Sequence, residues 1–173
     1  MLLMPTDVTE AIDAVVAAVE MLQALETENA RRLASEQERV EIGVGIHTGA
    51  TESWDPGNAA WVEEVRAGSV VSVSAAVEAL TRRYGVSLLM SDPTMRSLTA
   101  PLDYSMRLID RVRFDDAGNP LAVFEVVDGD PRPLLEKKVI TAPIFEDALA
   151  QYFSRNFHTK FFSSLFHLRS CRN

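Results

Sequence analysis

The segment "VEIGVGIHTGATESWDPGN", residues 40–58, closes an apolar run with spaced glycines and one histidine, His47. Such types could cradle a phosphate, bind a metal or supply a base. The glycines Gly43, Gly45 and Gly49 miss the dinucleotide spacing by one position. They also precede a proline turn where a helix would be needed. No Lys-Ser/Thr pair follows, so the segment is not a P-loop. His47 has no second ligand nearby, because His158 and His167 lie far along the chain. A histidine closing a strand is the plainer reading. Ser69, Ser72 and Ser74 lack a nucleophile elbow and read as capping and packing residues. Asp115 and Asp116 fall in a turn, and Glu63 and Glu64 suit a solvated face. On residue chemistry alone no catalytic constellation emerges.

The elements that would position these residues are easier to read. Residues 6–38 show Val8, Ile12, Val15, Val19 and Leu22 at helical spacing, one apolar stripe. The helix should fray after Leu33. Residues 40–47 read as a buried strand, whose Gly43 and Gly45 admit a close neighbour. A weak strand is expected near 60–66. A second helix runs to Gly85, with Val73, Val77, Leu80 and Tyr84 on one face. Then come a strand at 86–91, a short helix after Ser91, and strands at 104–114 and 121–128 around "DDAGNP". After "DGDPRP", residues 134–153 form a helix or two, with Pro143 marking a kink or a fresh start. The order predicts an α+β fold, one sheet with helices on one face.

The chain has 173 residues, 47% of them hydrophobic, and a net charge of −8, which does not favour a nucleic-acid surface. Residues 1–40 carry eight acids against three arginines, whereas 151–173 carry Arg155, Lys160, Arg169 and Arg172 and no acid. That basic, Phe-rich tail could touch a partner or a membrane surface, or be a poorly ordered terminus. The single cysteine, Cys171, leaves no internal disulfide and no cysteine zinc cluster. No stretch approaches the roughly 20 apolar residues of a membrane span. "MLLMP" is too short for a signal peptide, so the expectation is a cytoplasmic protein.

Taken together, "VEIGVGIHTG", "GSVVSVSAAVEALTRRYGVSLLMSDPT", "RLIDRVRF" and "PLAVFEVVDGDP" resemble the C-terminal part of the class III adenylate/guanylate cyclase catalytic domain. The resemblance covers roughly residues 7–130. It implies a ferredoxin-like, cyclase-type sheet, N-terminally incomplete, in a cyclase-homology domain at 1–130. Residues 131–173 would be a helical extension and tail, in which "FEDALAQY" resembles the start of a tetratricopeptide-like region. The implied chemistry is cyclisation of ATP or GTP with release of pyrophosphate, using two Mg or Mn ions and sites shared between two chains. The family's metal aspartates precede the helix at Thr6, so no metal or cofactor is expected in this chain.

The resemblance also places the remaining site positions. The base-reading position falls on Val65, the ribose asparagine on Ser72 and the transition-state arginine on Ala76. Arg82 and Arg83 lie about two turns further on and cannot substitute. Losing one preorganised donor typically costs about 10²–10³ in rate. The resemblance therefore implies a non-catalytic relative, kept for pairing or regulation as a homodimer or heterodimer with a cyclase-type domain. Two alternatives stay open: a truncated cyclase fragment, or an interaction module acting through the C-terminal helices. An active enzyme completed by a separately encoded first half is a further possibility.

Overall fold

The computed structural model describes residues 10–49, 69–98, 104–114 and 120–154. Helix α1 spans Glu10–Ala34 and is followed by strand β1, Val44–Ile46. Helix α2 runs Ser69–Tyr84 into strand β2, Leu88–Ser91, and the short helix α3, Asp92–Arg96. Strands β3, Met106–Val112, and β4, Leu121–Val126, come next. A 3-10 turn at Val127–Gly129 leads to helix α4, Arg132–Phe153. The expected strand near 60–66 and the turn acids Asp115 and Asp116 lie outside the described residues.

One four-stranded mixed sheet has the order β1-β2-β4-β3. Strands β1 and β2 are parallel, with Val44 opposite Leu88, and β2 and β4 are antiparallel, with Leu89 opposite Glu125. β3 and β4 pair as antiparallel neighbours with an irregularity between Leu108 and Asp110. The molecule is thus α+β, as the order of elements predicts.

The expectation that the helices share one face needs correction. Val15, Ala18, Val19 and Leu22 of α1 pack with Leu88, Met90 and Val126. Val77 of α2 packs instead with Leu89 and Val123. Successive residues of a strand point to opposite faces, so α1 and α2 lie on opposite sides of the sheet. The reason is visible in β2, whose four residues are all buried. A strand with two apolar faces needs a layer on each.

Local signals set the element ends. Gly85 takes φ 63°, a left-handed conformation that ends α2. Pro93 sits in the first turn of α3. Asn29 of α1 is buried and ties down the approach to β1: its amide donates to the Val40 carbonyl at 2.9 Å, and the Val40 N–H donates to Asn29 Oδ1 at 2.8 Å. Pro143 does not start a fresh helix, since it lies inside the continuous helix α4. Among the described residues, no helix is long and apolar enough to cross a membrane.

Candidate functional site

The glycines of β1 explain how α2 reaches the sheet. A Cβ at Gly45 would stand 2.7 Å from both the Ser74 carbonyl oxygen and Glu78 Cα. A Cβ at Gly43 would strike the Thr81 hydroxyl. The "GVG" spacing therefore serves helix-to-strand contact, as the sequence indicates, and not a phosphate cradle. That contact fixes the rotation of α2 and so decides where its other residues point.

Val77 is fully buried, and Val73, Leu80 and Tyr84 pack around the same cluster. Ser72 is exposed and Ala76 half-buried, one turn apart on the helix. They present a hydroxyl and a methyl on that side of the helix. Val65 lies outside the described residues. Arg82 and Arg83 are exposed in the last turn, and Arg83 stacks over Tyr84 at 5.9 Å. Six residues of helix, about 9 Å of rise, separate Ala76 from Arg82.

His47 joins a hydroxyl ladder just past the end of β1. Its Nδ1 lies 2.8 Å from Ser91 Oγ, and Ser91 Oγ lies 3.2 Å from Thr94 Oγ1. The Thr94 hydroxyl lies 3.3 Å from the Ile46 carbonyl, and the Thr48 hydroxyl reaches Thr94 at 3.2 Å. Burial lowers the His47 pKa, partly opposed by the Asp92 carboxylate. A neutral imidazole held this way ties the ends of β1 and β2 to α3. Among the described residues, no three His, Cys, Asp or Glu side chains gather as a metal site.

The sequence did not reveal a buried charge cluster joining α4 to the sheet. Lys138 Nζ lies 2.5 Å from Glu125 Oε1 and also pairs with Asp130. Arg107 pairs with the other oxygen of Glu125, and the Phe145 ring stacks 4.5 Å from its guanidinium. Ser87 adds a long contact of 3.5 Å to Asp130. Burial pushes the Asp130 carboxyl above its usual value, against the pull of Lys138. Two cations balance two carboxylates, the condition for tolerating buried charge. The one available signal was Glu125 inside the apolar strand "LAVFEV". Its partners lie 13 and 18 residues away in sequence, a separation that no periodicity encodes.

No family model matches the chain, and no solved structure matches it. Two curated proteins do. The chain is 30% identical over 115 residues to an adenylate cyclase of Anabaena cylindrica, covering 64% of this chain and 23% of that protein. It is 28% identical over 146 residues to the terminal-differentiation-specific adenylate cyclase of Dictyostelium discoideum, covering 83% of this chain and 7% of that protein. The chain thus spans less than a quarter of the length of either relative. Over the segment that carries the resemblance, this chain is a relative of the adenylate cyclases.

Proposed function

We propose that this chain is a cyclase-homology signalling module with a ferredoxin-like, cyclase-type fold. It forms no cyclic nucleotide itself and acts by pairing with a cyclase-type domain, as a homodimer or a heterodimer. The observation that carries this reading is the contrast along α2. The helix keeps a fully buried Val77 against the sheet, while Ser72 is exposed and Ala76 half-buried on the same helix; in this reading those two take the ribose and transition-state positions. A serine hydroxyl cannot make the two-point contact of a side-chain amide. An alanine supplies no charge to a transition state. In a head-to-tail pair, one chain supplies this half of each site. A partner facing this chain would meet a shaped but chemically silent surface.

The test is the purified chain, alone and mixed with an active adenylate cyclase catalytic domain, given ATP and Mn²⁺. The proposal expects no product from the chain alone, a stable complex by light scattering, and a changed rate in the active domain. Product from the chain alone, or no association at all, would reject it.

A second reading has one observation in its favour. Strand β1 is three residues long and sits at the sheet edge, with β2 as its described neighbour. An edge of that kind can accept another strand. In this reading the chain is a segment of a larger cyclase whose further strands continue the sheet at β1. Co-expression with such strands, followed by the same assay, separates the two readings.

A further inference from the structure

Helix α4 has two faces of different chemistry. Toward the sheet it presents Lys138, which reaches Glu125 and Asp130, and Phe145, whose ring meets the Arg107 guanidinium. On the opposite side Ile140 is 76% exposed and Ile144 46%. At about 100° per residue, these two belong to a seam of Pro133, Lys137, Ile140, Ile144, Asp147 and Gln151, with spacings of four, three, four, three and four. Lys137 and Asp147 are exposed on it. That alternation is the one by which two helices pack along their length. Apolar surface left in water at its centre favours a cover.

The seam is symmetric in position and opposite in charge about its middle. Ala142 stands midway between Ile140 and Ile144, between Lys137 and Asp147, and between Pro133 and Gln151. We propose that a second copy of this chain docks here, α4 against α4, antiparallel about a two-fold axis at Ala142. Ile140 then meets the partner's Ile144, and Lys137 meets the partner's Asp147. Each contact is made twice, as a self-complementary interface requires. A parallel pair would set lysine on lysine and aspartate on aspartate, so charge selects the antiparallel one. Gln151 donates to Asp147 Oδ2 at 2.7 Å and holds that carboxylate on the seam. The net charge of −8 opposes self-association at long range. Physiological salt screens that repulsion beyond about 8 Å, whereas the seam charges meet at contact. This docking goes beyond the pairing with a cyclase-type domain, which concerns α2, and either can hold without the other.

The experiment is sedimentation equilibrium on the full chain over a concentration series in physiological salt, with circular dichroism as the check on folding. The parent should dimerise. Ile140→Glu, at an exposed position, should melt like the parent and stay monomeric. Lys137→Glu and Asp147→Lys each turn two attractions into two repulsions and should weaken self-association about tenfold. Mixing those two variants restores both attractions in the mixed dimer, so the mixture should associate as the parent does. A monomeric parent would overturn the inference. So would a dimer indifferent to Ile140→Glu, or a mixture of the charge variants no tighter than either alone. Both results would move the contact to another face and leave association with a cyclase domain to its own assay.

Discussion

Helices α2 and α4 are fastened to the same sheet by opposite means. α2 is seated by Val77 between Leu89 and Val123, with its backbone pressed onto Gly43 and Gly45. α4 is seated by Lys138, which reaches Glu125 and Asp130, while Val139, Ile140 and Ile144 stay exposed. Apolar seating is unspecific in chemistry but continuous, so it fails together with the sheet. Ionic seating depends on a few atoms. α4 can therefore loosen while the sheet survives.

The largest effect should come from breaking the α2 side. Val77→Asp would place an unpaired carboxylate in a fully buried position, a burial that folded proteins avoid. Circular dichroism should then show no cooperative melt. Lys138→Met comes next. It leaves Glu125 and Asp130 with one cation fewer in a buried site, at a cost of about 3–5 kcal/mol. Hydrogen exchange should accelerate across α4 while α2 stays protected. Equal loss of protection in both helices would erase the distinction.

Gly45→Val should be milder. The new side chain meets the backbone of α2, so the helix must shift, costing about 1–3 kcal/mol. Asp130 sharpens the α4 side through pH. Its folded pKa is raised above the ordinary 3.8, mainly by burial. The folded chain therefore holds this proton over a window where the unfolded chain has released it. Stability from this group is present below pH 3.8 and is lost as pH rises through the raised folded value. Urea midpoints across that window should fall in the parent and lose that component in Asp130→Asn. The smallest stability effect belongs to Ser72→Asn, at an exposed position of α2, where the urea midpoint should correspond to a change within about 0.5 kcal/mol.

What the sequence told follows the same division. The stripe of α1 and the face of α2 were legible because apolar spacing encodes them. Val15, Val19, Leu22 and Val77 are buried as the pattern required. The role of Gly43 and Gly45 was legible because a missing side chain advertises a close neighbour. The placement of α1 and α2 on opposite faces was missed, although "LLMS" carries the clue in its unbroken apolar run. The Lys138 cluster was out of reach, since it depends on tertiary contacts. At the site, Ser72 and Ala76 could be named from the resemblance to cyclases, and the described fold places both on α2.

The proposed function holds that this chain does not supply the ribose and transition-state half of a cyclase site. The most direct measurement mixes it with a cyclase domain that keeps its metal aspartates but has lost its own asparagine and arginine at those positions. Cyclic AMP is then measured with Mn²⁺ and ATP. The account predicts no product above either component alone with the native chain. Product from that mixture would contradict it.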